Sequence, residues 1–583
     1  MKNTRLHSCG VSARKVGIAS FVSAFATCQL AAAVAMAQDN SLALEEVIVQ
    51  AQRRAESLQD VPVAVSAVDG EQLIEQGLGD LQEMSAYVPS LNIVQSPGTI
   101  QIYMRGLGSA QNTGFEQSVG LFVDGLYVGR APQFTAPFLD VSTVEVLRGP
   151  QGTLFGKNTI AGAITVNTVR PGNEFEAVLR TNYDVEYGDY TVDAIVSTPI
   201  TDSLSARLAV RRVDMSGYLD NTFLDRDEFQ AESSVYRGSL LWDINDSASL
   251  FVKYEQSEVH TDGKSLSTPV AGPWEPFLLS IDPDFALAGD SPDSKSVSVP
   301  EFQDIDSENL TINFDVSLGE FELTSITGYS EYQLNNFADP DTTAIDLAIF
   351  NPTEDFHQWT QEIRLASPVG GAVDYILGAF YLKNELDSDR QFSLRAANAA
   401  GGPGVPPIFG LLPPLGTFGN FDQDTESYAV FGSFTWHLSD RFRATAGLRY
   451  TREEKSADRD VIYTDENGTP VDEAYDPVTD PGNNFFVRAS LPVLGIFEHD
   501  IAGDRDVDDW SPTLRLSYDV TDDVMLYASA SRAFKSGGYN EAGNSGDEPG
   551  EFAPGGSPAS FEFDDEEAVS FEVGGKMSFF NDR

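Results

Sequence analysis

From Asn173 onward the chain alternates apolar and polar residues with a period of two. Leu310, Ile312, Phe314 and Val316 interleave with Thr311, Asn313, Asp315 and Ser317. Phe442, Ala444, Ala446, Leu448 and Tyr450 interleave with Arg443, Thr445, Gly447, Arg449 and Thr451, and Leu514, Leu516 and Tyr518 with Arg515, Ser517 and Asp519. Each run predicts a strand with one greasy and one wet face. About 14 such strands are predicted between residues 173 and 583. Upstream, residues 55–170 carry a mixed pattern. Leu73, Ile74, Leu78 and Leu81 predict helix within 69–87, and short strands are predicted at 61–68, 100–104, 119–128, 144–147 and 163–166. Asp124-Gly125 between apolar neighbours predicts a tight hairpin turn. The break between the two patterns falls near Pro171.

Alternation suits a soluble sandwich as well as a membrane barrel, so the connections decide. Short turns are expected at 201–203, 245–247, 318–320, 368–371, 439–441, 521–523 and 581–583. Between them lie long loops near 218–228, 263–303, 337–355, 387–424, 456–507 and 538–563. Tight turns on one rim and long loops on the other are the outer-membrane barrel pattern. Aromatics such as Tyr428, Phe434 and Trp436 fall near strand ends, where interface girdles sit.

The first 37 residues predict an export signal: Lys2, Arg5, Arg14 and Lys15, an apolar run from Ile18 to Val34, then Ala35-Met36-Ala37 as a small-x-small cleavage site before Gln38. Both cysteines, Cys9 and Cys28, lie within it, so the exported chain would hold neither disulfide nor thiolate-bound metal. Past this segment no apolar stretch is long enough for a spanning helix, so a membrane location requires a barrel.

Charge narrows the function. Acids outnumber bases 89 to 37, for a net charge of −52; loss of the signal, with four bases and no acids, takes −52 to −56. Nucleic-acid binding is excluded on that ground. Disorder is excluded by 41% hydrophobic and 11% aromatic residues. Catalytic and metal signatures are not found. Gly152-Thr153-Leu154-Phe155-Gly156-Lys157-Asn158 has one residue too few for a phosphate loop, and Asn158 stands where Ser or Thr would hold magnesium. Asp504, Asp506 and Asp508 lack the glycine and distal glutamate of a calcium loop. His7, His260, His357, His437 and His499 form no spaced pair.

Ahead of the mixed region, the segment from Leu44 to Arg54 holds a short strand-forming run, Val47-Ile48-Val49, flanked by charge, that could add itself to the edge of a partner's sheet. With this run stand Tyr103-Met104-Arg105-Gly106, Phe122-Val123-Asp124-Gly125, the segment from Val144-Glu145-Val146-Leu147-Arg148-Gly149-Pro150 to Asn158, and Ala161-Gly162-Ala163-Ile164-Thr165-Val166-Asn167. Further on come Gln361-Glu362-Ile363-Arg364-Leu365, the segment Ser531 to Asn540, and Phe571-Glu572-Val573-Gly574-Gly575-Lys576. Together these resemble the motifs of TonB-dependent outer-membrane receptors, over essentially the whole exported chain.

The resemblance implies a mainly β fold: a transmembrane antiparallel β-barrel of 22 strands with an N-terminal α+β plug in its lumen. About 14 strands are expected here, so the barrel is expected to be incomplete at its C-terminal end; a closed 14-stranded barrel is the competing reading and looks too narrow for the plug. The expected divisions are signal peptide 1–37, periplasmic lead 38–54, plug 55–171 and barrel 172–583. The resemblance makes Glu46, Val47, Ile48 and Val49 the box that engages the periplasmic energy-coupling protein TonB. Other expected partners are outer-membrane lipid and a small-molecule substrate such as an iron chelate. No cofactor is implied. The implied activity is energised import of a scarce nutrient, a ferric siderophore first, with cobalamin, a glycan or an aromatic compound as alternatives. A passive porin or an adhesin is the alternative function, and neither needs the box. About seven residues separate Gln38 from the box, too few for a signalling domain.

Strand parity adds one expectation. Phe571, Val573 and Met577 share a face, so Glu572 and Lys576 point into the lumen; Ile363 and Leu365 face lipid, so Glu362 and Arg364 point inward. A buried carboxylate needs a partner. The plug arginines Arg105 and Arg148 are therefore expected to dock on Glu362 and Glu572.

Overall fold

The computed structural model describes residues 48–578 except 51, 97–98, 110–111, 264–293, 296, 341–342, 396–414, 466–467, 469, 471–497 and 542–560. The export signal, Glu46, Val47 and the turn expected at 581–583 lie outside the described residues.

Residues 176–577 supply one antiparallel sheet of fourteen strands, each paired with the next along the chain. The strands are 176–183, 190–201, 204–215, 230–245, 248–262, 302–318, 321–337, 348–366, 373–394, 415–439, 442–464, 499–521, 524–535 and 566–577. Among the described residues the first and last strands are each paired on one side only. Two-residue turns join strands at 202–203, 246–247, 319–320, 440–441 and 522–523, as the sequence predicts.

The face rule decides between a barrel and a sandwich. Along 499–521, Leu514 and Leu516 are 51% and 40% exposed, while the alternating Arg515 and Ser517 are 8% and 5% exposed. The same inversion places Phe314, Trp359, Leu448 and Trp510 outside and Thr311, Asn313, Thr360, Arg449 and Ser511 inside. A polar interior under an apolar exterior is stable only where the outside is lipid.

Several strands outrun the sequence expectation. The loops expected at 387–424 and 456–507 are shortened, because strands run on to Leu394 and Thr464 and resume at Leu415 and His499. The alternation there persists with acids on the outer face, Asp422, Asp424, Asp458, Asp460, Asp504 and Asp506, so a test for outward apolar residues misses it. The strand 415–439 has 25 residues, roughly 80 Å at about 3.3 Å per residue. Only 9–11 tilted residues are needed to cross a bilayer, so this strand stands well clear of the membrane. Its outer face changes from Trp436, Phe434, Val430 and Tyr428 to Asp424 and Asp422 at the exit.

Inside the sheet sits a mixed domain. Its five-stranded sheet has the order 65–69, 141–148, 162–168, 119–123, 126–128, with one parallel pairing between 162–168 and 119–123. Val144, Val146, Ile164 and Leu121 face one cluster with the helices; Leu147, Ala163 and Phe122 face a second that includes barrel residues Ile376, Leu382 and Phe431. Asp124 and Gly125 both take positive φ, 49° and 88°, as a tight primed turn requires. The helix expected within 69–87 is two short helices, 70–75 and 81–84. Asp69 and Asp80 cap them by accepting the Gln72 and Glu83 amides at 2.8 and 2.7 Å. Gly77, at φ +70°, ends the first, which leaves Ile74 exposed while Leu73, Leu78 and Leu81 are buried. A strand at 91–96, absent from the sequence expectation, pairs with 99–104.

Candidate functional site

The lead enters the lumen and folds back on itself. Ile48 pairs with Ser57 and Val49 with Glu56, and the intervening turn is closed by the Arg53 amide donating to the Gln50 carbonyl at 2.8 Å, with Arg53 at φ +61°. Ile48 is 48% exposed; Val49 is fully buried against Val61, Val63, Phe122 and Leu147. Beyond the strand the Gln50 amide donates to both oxygens of Glu145, at 2.8 and 3.0 Å. Glu145 is buried on the apolar face of the inner sheet; that burial raises its carboxyl to about 7 despite the Gln50, Thr165 and Asn167 donors and nearby Arg53.

Arg53 fixes the turn. Its guanidinium lies 4.8 Å from the Phe122 ring and 4.3 Å from the Phe155 ring, and 3.8 Å from the Glu362 carboxylate on the wall. Burial lowers its pKa to about 10, so it stays charged at neutral pH. Arg54 donates to the Tyr375 carbonyl at 2.7 Å. Gln52 and Arg54 of the lead, with Glu56, Ser57 and Asp60 just after it, line a cavity of about 230 Å³ with Asp374, His437 and Arg443 of the short-turn rim, so the lead lies at that end of the lumen.

Of the four expected docking residues, the structure brings two into contact. Arg105 Nη1 lies 2.8 Å from Glu572 Oε2, and Tyr527 donates to Glu572 Oε1 at 2.7 Å. Arg148 lines the same cavity as Glu572 without an ion pair, and its buried Nε has no hydrogen-bond partner. Glu362 is met by Arg53 and lies 2.9 Å from Arg364, so the expected pairing of Glu362 with Arg105 or Arg148 is corrected. The reason is placement around the wall. Arg105 projects from a turn onto the fourteenth strand, whereas Glu362 sits on the eighth and faces the lead.

Buried charges on other strands anchor the plug to the wall. Asp124, at the hairpin tip, accepts the Thr168 amide and hydroxyl at 2.8 Å each and pairs with Lys253 of the wall; all three are buried. Lys157 lies 3.0 Å from Glu116 and also pairs with Glu453 of the wall, while Lys455 lies 3.3 Å from both acids. Burial alone would raise the Glu116 carboxyl; Lys157 and Lys455 more than reverse that and hold it well below the usual range. Asp140 takes Arg207 at 2.6 and 2.7 Å, and Arg237 donates to the Leu139 carbonyl at 2.6 Å. Thr153 Oγ1 lies 2.9 Å from Thr513 Oγ1. Their signal in the sequence is the same parity that turns Glu362 and Glu572 inward: Arg207, Lys253, Glu453 and Lys455 are charged residues at lumen parity on alternating strands. Lys157 and Asn158, which evoke a phosphate loop, instead bind the plug to the wall: Asn158 Oδ1 accepts the Ser536 amide at 3.0 Å.

Residues 57–163 match the TonB-dependent receptor plug domain, and residues 257–583 match the family described as TonB dependent receptor-like, beta-barrel. The chain belongs to the TonB-dependent receptor family. Its place is therefore the bacterial outer membrane, where the inverted burial of its strands is stable. The pesticin receptor of Yersinia pestis is 24% identical over 500 residues, which is 82% of this chain and 61% of that protein. The chain thus spans about three-fifths of that relative's length. The iron-regulated outer membrane virulence protein of Vibrio cholerae is 24% identical over 212 residues, 34% of this chain and 30% of that protein. Among solved structures, the ferric yersiniabactin uptake receptor FyuA from Yersinia pestis superposes with a TM-score of 0.69 at 18% identity, covering 89% of this chain and 70% of that one. The ferripyoverdine receptor of Pseudomonas aeruginosa gives 0.63 at 14% identity, covering 93% and 65%. At such identities the structural likeness is one of fold.

Proposed function

We propose that the chain imports a scarce nutrient across the outer membrane, energised from the periplasm through its lead, and that the cargo is a ferric siderophore. The observation that carries this reading is the lead itself: a short strand, Ile48-Val49, paired over only two residues at the short-turn end of a lumen otherwise filled by a domain held to the wall by buried ion pairs. Such a strand can exchange its local partner, Glu56-Ser57, for the sheet edge of another protein. TonB is that partner, and Glu46 to Val49 form the box it takes. Arg53 against Glu362 and Arg105 against Glu572 hold the lead and plug until the pull comes. A passive porin needs no such lead, and a lumen crossed by buried ion pairs does not suit one. The cargo rests on the names of relatives, the iron-regulated virulence protein and a ferric-pyoverdine receptor among them.

Strand exchange uses backbone groups, so proline is the decisive change. Ile48→Pro is expected to abolish uptake of a ferric siderophore while leaving its binding at the cell surface intact, measured with radiolabelled iron. Normal uptake by that variant would remove the mechanism; normal uptake of cobalamin but no uptake of any iron chelate by the unaltered chain would remove the cargo.

A further inference from the structure

The contact between Arg105 and Glu572 leaves a charge imbalance beside it. Arg148 and Arg515 line one small cavity with Glu572 and the hydroxyls of Ser529, Ser531 and Ser570. Glu572 is the only carboxylate among the lining residues, and both its oxygens are taken, one by Arg105 at 2.8 Å and one by Tyr527 at 2.7 Å. Gly149 makes room for the arrangement. Its φ is +87°, which favours glycine, and a Cβ there would lie 3.0 Å from Arg105 Nη1, so the guanidinium passes close over the turn on its way to Glu572.

Arg515 is only 8% exposed, and its Nη2 donates to a neutral group, Gln151 Oε1 at 3.4 Å. The buried Arg148 Nε has no hydrogen-bond partner. Glu56 is the next carboxylate acting on Arg515, but it lines the other cavity, where Arg54 and Arg443 are the cations that act on it. Three guanidinium groups therefore share one carboxylate. A buried cation without counter-charge is costly, and water or serine can solvate it but cannot neutralise it. The cavity offers about 20 Å³ to water-sized occupants, room for about one. A siderophore is excluded by size.

We propose that Arg148 and Arg515 hold a small inorganic anion of chloride size between plug and wall, with Ser529, Ser531 and Ser570 donating to it. The anion completes the plug's seat: it supplies the negative charge that the wall does not offer Arg148. The site is independent of the import reading, because it concerns how the plug is held and not what passes.

The test uses the chain purified from outer membranes in detergent. Thermal unfolding is followed in sodium chloride and in sodium gluconate at equal ionic strength, and crystals are soaked in bromide. The expected result is a saturable rise of the midpoint with chloride and not with gluconate, together with an anomalous bromide peak within hydrogen-bond distance of Arg148 and Arg515. Arg515→Gln should abolish the chloride-dependent rise. Ser531→Ala, which keeps both arginines, should raise the half-saturating chloride concentration several-fold. If Arg515→Gln does not fold, the bromide map and Ser531→Ala still decide. Equal midpoints in the two salts, or no bromide at the two arginines, overturns the proposal. A bromide peak without any chloride dependence of stability means an adventitious ion only, and overturns it equally.

Discussion

The lead and the inner sheet occupy one lumen but are held by different means. The inner sheet is fastened by buried charges in direct contact with the wall: Asp124 with Lys253, Lys157 with Glu453, and Asp140 with Arg207. The lead has a two-residue pairing, a backbone bond to Glu145, and an arginine 3.8 Å from its wall partner. Buried ion pairs are worth little relative to apolar replacements, yet they are expensive to break from one side. They suit a joint that must not slip. A short strand on an apolar patch, with one exposed face, suits a joint that must open first. Under the proposed import cycle, the difference separates a plug that stays from a lead that leaves.

Three changes probe that division. Asp124→Ala strikes the fixed part hardest, since it leaves Lys253 buried without its counter-charge and removes both Thr168 bonds. A loss of about 3–5 kcal/mol is expected, seen as a lower melting temperature and protease cleavage within 119–168. A melting temperature unchanged from the parent would show that this pair does not fasten the plug. Gly152→Val comes next. A Cβ at Gly152 would meet Ala533 Cβ at 2.8 Å and Ser511 Cβ at 3.0 Å, so the inner domain must shift from the wall at a cost of about 1–3 kcal/mol. Wild-type stability in urea would mean that this approach is not close. The smallest effect belongs to Glu145, the inner-sheet acid that receives the lead, and depends on pH. Because burial lifts the folded-state Glu145 carboxyl from 4.5 to about 7, the folded chain binds that proton more tightly than the unfolded chain does. The Glu145 contribution is therefore most favourable below about 4.5 and declines as pH rises through about 7. The urea midpoint of global unfolding should lose this contribution from pH 5 to pH 8, and Glu145→Gln, which keeps an oxygen for the Gln50 amide, should flatten that dependence. An identical slope in both proteins would assign it elsewhere.

Much of the wall was legible because lipid imposes a simple rule on it: each strand alternates, and five of the two-residue turns fall where Asp, Asn, Ser and Gly predict them. Legibility failed where the rule's cause stops. Above the membrane Asp422, Asp458 and Asp504 replace apolar residues on the outer face, and the strands continue unseen. In the inner domain the Asp124-Gly125 turn was readable, while the break at Gly77 was hidden inside a helical pattern that spans both helices. For the site, parity gave the inward direction of Glu362 and Glu572, since neighbours Ile363 and Phe571 are exposed. Partner choice was not readable, because it depends on which part of the wall faces which part of the plug. Arg53 meets Glu362 across more than 300 residues of chain, and no local pattern encodes that encounter.

Hydrogen–deuterium exchange on the chain in its membrane tests the division most directly, because it reports how readily each amide opens. The amides of Ile48 to Arg54 should exchange on the order of a hundredfold faster than those of Val119–Val123 and Gly162–Thr168. Equal protection of the two sets, or slower exchange in the lead, would contradict a releasable lead on a fixed plug.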